Sequence, residues 1–381
     1  MLDTLELRRY IADRDILQHN IRLIREIASK THIWAVLKGN GYGLGLINMA
    51  QMLHEQNIDR FCVADVEEVR ALCNAGFGRC RILMLQPTQN PELLRELVSL
   101  NVICTVSCLE DALALNEIAE RTGRTAEVHV KVDTGMGRYG FKPEETEQIL
   151  QVYAAMEHLY VSGIYTHFSC SGCSKRKTRR QFALFQRLLE DLKARKIELG
   201  EAHCCNSAAF FQWPQMYMDG VRIGSAWLGR TAAARQLGLK PVGYCESRVA
   251  ELHMLKRGDT SGYCGAWKAR RDTILAIVPV GWYHGFGVEY NRDTFRFRDC
   301  VRGCLSWMKA LLTGKRLWVQ VNGQKCPVCG HVGMLYTAVD VSRISCAVGD
   351  PVTLNISPLL QKGMSVSLES QDVTQSLLHN V

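Results

Sequence analysis

Lys38 stands at a distinctive place in the segment IWAVLKGNGYGLGL, residues 33–46. It directly follows a run of strand-forming residues and precedes four glycines at alternate positions: Gly39, Gly41, Gly43 and Gly45. Glycines let a backbone pass close to a bulky group, and an amine held there can form a Schiff base with a carbonyl group. A charged residue in a solvated turn is the alternative, and for a lysine taken alone it is the commoner case.

A Schiff-base lysine most often serves pyridoxal 5'-phosphate. This cofactor also requires a phosphate cradle, a partner for its pyridine nitrogen and acid–base groups. The sequence contains candidates for all three, and the secondary-structure elements must position them.

Short apolar runs alternate with amphipathic segments between about residues 10 and 235. Such alternation favours an α/β fold in which helices cover parallel strands, and eight units are the number in a (β/α)8 TIM barrel. Lys38 then lies at the C-terminal end of the first strand, the face where these barrels place their chemistry. The eight runs are IWAVLK, RFCVAD, RILMLQ, VICTVS, EVHVKVD, VSGIYTHF, EAHCCN and DGVRIGSAW.

After about residue 240 the apolar runs are separated by Gly, Asp and Asn turns, with little helical periodicity between them. This pattern predicts a smaller, mainly β domain. We therefore expect residues 10–235 to form the barrel, and residues 1–9 and 236–381 to form the C-terminal β domain.

The composition is that of a globular protein, with 47% hydrophobic and 22% charged residues. No membrane segment or signal peptide is apparent, so a cytoplasmic location is expected, and the 16 scattered cysteines are expected to be free thiols. The net charge of +8 includes a basic cluster at 174–182. We interpret this cluster as a solvated first helical turn and the loop before it, not as a nucleic-acid site.

The segment AVLKGNGYGLG resembles the lysine motif of the alanine racemase family. Further segments resemble that family's motifs in the same order, so the resemblance spans nearly the whole chain and implies a barrel followed by a β domain. They are KVDTGMGRYGF (131–141), GIYTHFS (163–169), HCCNSAAF (203–210), DGVRIGSAWLGR (219–230), SGYCGAWKA (261–269) and IVPVGWYHGFG (277–287).

The resemblance implies racemisation of a small amino acid, L-alanine first and serine next, to supply D-amino acid for cell-wall peptidoglycan. Lys38 would bind pyridoxal phosphate and act as the base on one face of the substrate. Tyr263 would act from the other face and come from the second subunit of a homodimer, because racemisation needs a group on each side of a planar intermediate. Arg138 would bind substrate and stabilise the tyrosine phenolate.

The resemblance also assigns the remaining site residues, and it implies no metal. Arg222 would face the pyridine nitrogen and keep it unprotonated, since a guanidinium does not readily give up a proton. His167 would lie near the cofactor ring and hydrogen-bond toward Arg222, and Lys131 matches a lysine that is carbamylated in some members. The other implied cofactor-binding residues are Tyr42, Asn206, Ser207, Gly224 and Ser225, and Met334 would meet the substrate carboxylate.

Several positions depart from the family pattern. Leu335 stands where an aspartate is usual and Tyr336 where glutamine is usual. Trp282 and His284 replace a tyrosine and an acid in GWYHG, and the C-terminal segment lacks a recognisable counterpart of the usual phosphate-binding tyrosine. These departures bear on substrate preference.

Three other interpretations stay open at this point. A related barrel-type amino-acid decarboxylase is disfavoured, because Arg222 stands where those enzymes place a carboxylate. A catalytically drifted pyridoxal-phosphate-binding relative is disfavoured because both Lys38 and Tyr263 are present. Two CxxC pairs, Cys170/Cys173 and Cys326/Cys329, could in principle form a zinc site, but they fall in different expected domains and unpaired thiols are favoured.

Overall fold

The computed structural model describes residues 7–289, 297–314 and 317–370. Two units can be distinguished: Asp15–Val242, and residues 7–14 together with the described residues from 243 onward. The first strand along the chain, β1 (Arg8–Asp13), pairs with strands from the second half of the sequence.

Eight parallel strands of the first unit close into a barrel, in chain order. Each coincides with one of the eight apolar runs in the sequence, so the predicted (β/α)8 fold is confirmed. Its strands are β2 (His32–Val36), β3 (Arg60–Val63), β4 (Arg81–Met84), β5 (Ile103–Val106), β6 (Ala126–Val132), β7 (Leu159–Thr166), β8 (Glu201–Cys205) and β9 (Gly220–Ile223).

Helices alternate with these strands, and several begin at side-chain caps. Asp65, Asn90 and Ser174 each accept a hydrogen bond from a backbone amide in the first turn of the helix that follows, as polar N-cap residues do. The helices are α1 (Arg14–Ile27), the short turn α2 (Lys38–Tyr42), α3 (Leu46–His54), α4 (Val66–Asn74), α5 (Pro91–Ser99), α6 (Leu109–Thr122), α7 (Thr146–Ala154), α8 (Lys175–Ala194), α9 (Ser207–Gln212) and α10 (Ala232–Gln236).

The basic cluster lies inside a helix. Because α8 begins at Lys175, its basic residues occupy the first two turns, whereas the sequence suggested one turn and a preceding loop. Their side chains are exposed, and the opposite face of the helix buries Phe185, Leu188 and Leu192.

The second unit is built mainly of β-strands, as predicted. A six-stranded sheet has the order β16-β15-β18-β10-β1-β19, beside a three-stranded sheet β11-β14-β17 and a two-stranded ribbon β12-β13. These strands are β10 (Tyr244–Arg248), β11 (Glu251–Leu255), β12 (Thr260–Ser261), β13 (Trp267–Lys268), β14 (Thr273–Val278), β15 (Trp318–Val321), β16 (Gln324–Pro327), β17 (Thr337–Asp340), β18 (Pro351–Leu354) and β19 (Ser365–Glu369).

One helix of the second unit contradicts the expectation of little helical structure after residue 240. This helix, α11, spans Phe297–Thr313 and buries none of its side chains. Phe297, Val301, Leu305, Met308 and Leu312 recur at three- and four-residue spacing, which is the helical period. The sequence therefore contains the periodic pattern of this helix. No helix in the described residues is long and apolar enough to span a bilayer.

The side chain of Asn20 forms hydrogen bonds between α1 and the last segment of the barrel unit. Its side chain is fully buried and donates from Nδ2 to the carbonyl oxygens of Trp227 (2.9 Å) and Lys240 (2.8 Å). Its Oδ1 accepts from the Lys240 amide at 2.9 Å. One buried amide side chain therefore satisfies three backbone groups, of which the Trp227 carbonyl is fully buried.

Replacement of Asn20 by leucine, which has nearly the same shape, should lower the free energy of unfolding by about 3 kcal/mol, because buried polar groups lose their partners. Denaturant unfolding of the two proteins measures this difference. The exposed Gln51→Leu substitution is the control and should change stability by less than about 0.5 kcal/mol. Equal stability of Asn20→Leu and the wild type would contradict the assignment.

Candidate active site

A cavity of about 330 Å³ opens at the C-terminal ends of the barrel strands. Its lining contains four cationic side chains and no carboxylate, so it favours an anionic ligand. The lining residues are Val36, Lys38, Tyr42, Ala64, Leu85, Gln86, Lys131, Arg138, Tyr139, Tyr165, His167, Asn206, Ser207, Ala208, Arg222, Gly224 and Ser225.

The segment after Lys38 is a left-handed turn. Every residue from Gly39 to Gly43 has a positive φ, including Asn40 and Tyr42 at 55°. Glycine adopts this region readily, and asparagine tolerates it better than most residues. Backbone conformation alone explains Gly39, since a side chain there would meet nothing within 4 Å, whereas a Cβ at Gly41 would in addition lie 3.0 Å from Met49 Cγ.

Glu68 and Asn40 hold this turn in place. The Glu68 carboxylate accepts hydrogen bonds from the amides of Gly39 (2.7 Å) and Ala64 (3.1 Å). The Asn40 side chain accepts from the Leu46 amide at 2.9 Å. The turn thus presents Lys38 to the cavity from a fixed backbone.

The Lys38 amine lies in a cationic environment. Desolvation lowers its pKa, and the positive charges of Arg138 and Arg222 lower it further, while Glu68 opposes them. Lys131, on β6, responds in the same way: burial, followed by Arg138 and Arg222, lowers its pKa to about 8. At a given pH a larger fraction of both amines is therefore neutral, and so able to act as a nucleophile or accept a proton, than in ordinary lysines.

Asp133 anchors the loop that carries Arg138. Its Oδ1 accepts from the amides of Gly135, Met136 and Gly137 at 2.7–3.1 Å, and its Oδ2 accepts from Lys142 Nζ at 2.7 Å. Burial raises the pKa of this carboxyl, but the hydrogen bonds from Lys142 and the amides outweigh burial and lower it to about 2. The motif DTGMGR therefore forms a loop tied to an ionised aspartate.

Arg222, on β9, is buried at the base of the cavity. Its Nη1 contacts His203 Nδ1 (2.6 Å) and the His203 carbonyl oxygen (3.2 Å). Its Nη2 donates to the Thr166 carbonyl oxygen (2.7 Å) and lies 3.3 Å from His167 Nδ1. All of these acceptors are neutral, and no carboxylate in the described residues forms a salt bridge with Arg222. Of the N–H groups of the Arg222 guanidinium, only Nε–H has no protein acceptor within the described part of the chain.

Tyr42, Gly224 and Ser207 form one packed corner of the cavity. A Cβ at Gly224 would lie 2.3 Å from the Tyr42 hydroxyl, so only glycine leaves room for the ring. Ser207 Oγ accepts hydrogen bonds from the amides of Gly224 (3.0 Å) and Ala226 (3.3 Å). Its own hydroxyl proton is then available for donation into the cavity.

Asn206 caps the short helix α9. Its Oδ1 accepts from the Ala209 amide (3.0 Å) and from Ser171 Oγ (2.8 Å), and its Nδ2 donates to the Phe168 carbonyl oxygen at 3.2 Å. These bonds orient the segment that carries Ser207.

Most of the residues singled out from the sequence lie around this one cavity. Lys38, Tyr42, Arg138, His167, Asn206, Ser207, Arg222, Gly224 and Ser225 all line it. Tyr263 and Met334 belong to the second unit, where their side chains are 78% and 49% exposed.

The segments of the second unit that depart from the family pattern adjoin one another. Trp282 and Tyr283 donate from their amides to the carbonyl oxygens of Gly333 (3.0 Å) and Met334 (3.1 Å). His284 is buried, and its Nδ1 accepts from the Gly281 amide at 3.1 Å. His284 therefore has a local structural contact here. The last eleven residues of the chain lie outside the described residues.

Sequence reasoning missed two buried histidines of the barrel, His129 and His203. His203 contacts Arg222 and stacks on Tyr165, with ring centroids 5.0 Å apart and planes 4° from parallel. His129 lies in the segment HVK of β6 and His203 in the segment AHC of β8. Alternate side chains of a barrel strand point into the barrel, so these positions were the sequence signal for inward-facing histidines. Within the described residues, no group of three or more His, Cys, Asp or Glu side chains is arranged to hold a metal.

Family models match both halves of the chain. The model described as "Alanine racemase, N-terminal domain" matches residues 12–232, and "Alanine racemase, C-terminal domain" matches residues 242–371. The chain belongs to the alanine racemase family. The alanine racemase of Desulforamulus reducens is 32% identical over 339 residues, which cover 87% of this chain and 85% of that protein. That of Methanococcus maripaludis is 29% identical over 350 residues, covering 90% and 87%.

Solved structures agree with this membership. The alanine racemase of Clostridium difficile 630 superposes with a TM-score of 0.78 at 25% identity, covering 95% of this chain and 89% of that one. The enzyme from D-cycloserine-producing Streptomyces lavendulae gives a TM-score of 0.80 at 24% identity, covering 93% and 89%, which supports the fold. The chain is thus an enzyme of the amino-acid racemase class.

The environment of Lys38 predicts unusual reactivity toward a small amine-modifying reagent. A lowered pKa leaves more neutral amine at a given pH, so at pH 8 Lys38 should be modified several-fold faster than the exposed Lys177. Peptide mass spectrometry across a pH series measures both rates.

The substitution Arg138→Gln removes a positive charge that lowers the Lys38 pKa, so the pH profile of Lys38 modification should move to higher pH. Arg187→Gln, on the exposed face of α8, is the matched control and should leave the profile in place. Identical profiles for the two variants would refute the electrostatic account.

Proposed function

We propose that this chain is a pyridoxal-phosphate-dependent racemase of a small amino acid, with L-alanine as first substrate and serine next. The observation that carries the proposal is the combination, in one cavity, of an activated lysine and a buried arginine that has only neutral partners. Membership of the alanine racemase family supports the reaction class.

The cavity fits pyridoxal phosphate chemically. Lys38 offers the amine that would tether the cofactor, and its lowered pKa favours the neutral, reactive form. The Ser207 hydroxyl, Tyr42 and the backbone of Ser225 would hold the phosphate, which hydroxyl groups and backbone amides suit, while Gly224 leaves the space for Tyr42 and donates its amide to Ser207. The guanidinium groups of Arg138 and Arg222 in the lining match the negative charge of that group.

Arg222 would direct its remaining donor, Nε–H, toward the pyridine nitrogen. Pyridoxal phosphate, when bound, supplies the electron sink that makes the substrate α-proton acidic. Arg222 retains its proton, so it stabilises a ring nitrogen that is not protonated. This arrangement would limit electron withdrawal by the pyridine ring and favour return of a proton to the α-carbon over side reactions.

Proton transfer needs a group on each face of the substrate. Lys38 would take or return the proton on one face. Tyr263 of the partner subunit would act on the other, because its side chain is largely exposed in this chain and is available to another copy. Arg138 would bind the substrate carboxylate together with the backbone amide of Met334.

We further propose a homodimer, a cytoplasmic location and a role in supplying D-alanine for peptidoglycan. The absence of a carboxylate beside Arg222 in the described residues disfavours the decarboxylase alternative. Carbon dioxide release from ornithine, lysine or diaminopimelate would restore that alternative.

Purified protein supplied with pyridoxal phosphate should exchange the α-proton of L-alanine in heavy water and form D-alanine. Proton NMR with a mixture of L-amino acids shows which α-protons are lost and names the substrate. The Lys38→Ala variant should lose the exchange by at least about a thousandfold, since it removes both the tether and a base. Full activity in that variant would refute the proposal, and no exchange in wild type would favour a drifted cofactor-binding relative.

Lys38→Ala and Tyr263→Phe should complement each other if the site is shared between subunits. Each variant alone should be nearly inactive, but a mixed dimer contains one site with both native side chains. Random reassociation should restore about a quarter of wild-type activity. Refolding each variant by itself is the control, and no recovery in the mixture would contradict a shared site.

A further inference from the structure

Three buried groups form a chain of hydrogen bonds inside the barrel. Arg222 Nη1 lies 2.6 Å from His203 Nδ1, and His203 Nε2 lies 3.0 Å from His129 Nδ1. His129 and His203 have no exposed surface, and Arg222 is 3% exposed. Water therefore does not compete for these contacts, and the three ring nitrogens that meet another side chain each have a definite role as donor or acceptor. His129 Nε2, at the end of the chain, has no hydrogen-bond partner within the described residues.

The arginine fixes the proton positions along this chain. A guanidinium only donates, so His203 Nδ1 must accept and the His203 proton must lie on Nε2. His203 Nε2–H then donates to His129 Nδ1, which leaves the His129 proton on its own Nε2. The opposite tautomer of His203 would point an N–H group at the arginine donor 2.6 Å away.

Both rings are neutral. Burial lowers the pKa of His129 to about 3, with the charges of Arg81 and Arg222 acting in the same direction. Burial followed by Arg222 also lowers the pKa of His203 well below its usual value. Neutral rings are required here, since a protonated His203 would have no lone pair for the arginine.

The surrounding side chains hold the two rings in place. Tyr165 stacks on His203, and Trp34 lies on the same ring with centroids 5.9 Å apart and planes 22° from parallel. Trp34 also meets the His129 ring edge-on at 5.3 Å. Gly163 leaves the space that His129 occupies, because a Cβ there would be 2.7 Å from His129 Nε2.

We propose that His129 is a positioning residue for the reaction: it accepts the His203 Nε2–H, fixes the His203 tautomer, and so holds the Arg222 guanidinium with Nε–H directed into the cavity. The consequence for catalysis rests on the proposed function of Arg222. The tautomer assignment does not, because it follows from donors and acceptors within this chain.

The tautomer can be measured directly by NMR. In protein labelled with ¹⁵N-histidine, long-range ¹H–¹⁵N spectra distinguish a ring protonated on Nε2 from one protonated on Nδ1, and His203→Gln assigns the His203 signals by their loss. The wild type should show His203 and His129 both as neutral Nε2–H rings from pH 6 to 8. A His203 protonated on Nδ1, or one that exchanges between tautomers, overturns the proposal whatever the enzymatic activity.

Two substitutions of nearly equal shape separate positioning from packing. His129→Asn keeps an acceptor near the position of Nδ1, whereas His129→Leu removes it and leaves a buried donor unsatisfied. In the leucine variant we expect loss of the fixed His203 tautomer and a fall in kcat of about tenfold with little change in KM. The asparagine variant should retain both properties close to wild type.

The role of His129 and the proposed racemase function would be refuted by different experimental results. Equal NMR spectra and kcat values for the two variants and wild type would refute the role of His129. A wild type that does not exchange the α-proton of any amino acid, but shows the expected His203 tautomer, would refute the racemase proposal and leave the tautomer assignment intact.

Discussion

The buried guanidinium of Arg222 is the constraint on which the site depends. A cation in the interior of a barrel is costly unless its donors are satisfied, and here a histidine ring and backbone carbonyl oxygens satisfy them. Because these partners are neutral, the positive charge is not cancelled locally. It acts on several of the titratable groups that face the cavity.

That uncancelled charge links the chemistry of the other residues. Together with Arg138 and desolvation, it lowers the pKa of Lys38, Lys131 and His167. Two carboxylates organise the loops of this region, and each accepts hydrogen bonds from backbone amides: Glu68 beside Lys38, and Asp133, which also accepts from Lys142. A site with this balance attracts an anionic cofactor and holds a lysine ready to react.

The fold was accessible to sequence reasoning because the barrel strands are buried on both faces. Their apolar runs are almost uninterrupted, so eight strands could be located and Lys38 placed at a strand end. The sequence of α11 carries a helical period, but it lies in a region whose other elements are short strands, and none of its side chains is buried.

The sequence by itself determined the order of the motifs, the family resemblance and most residues of the cavity, since these depend on residue type and local spacing. Only the tertiary structure decided that Gly39 to Gly43 form a left-handed turn. It also decided that Arg222, His203 and His129 form a chain of hydrogen bonds. The reason is physical. Backbone handedness and hydrogen bonds between distant strands are set when the barrel closes, and no local pattern encodes the distance between residues that are far apart along the chain.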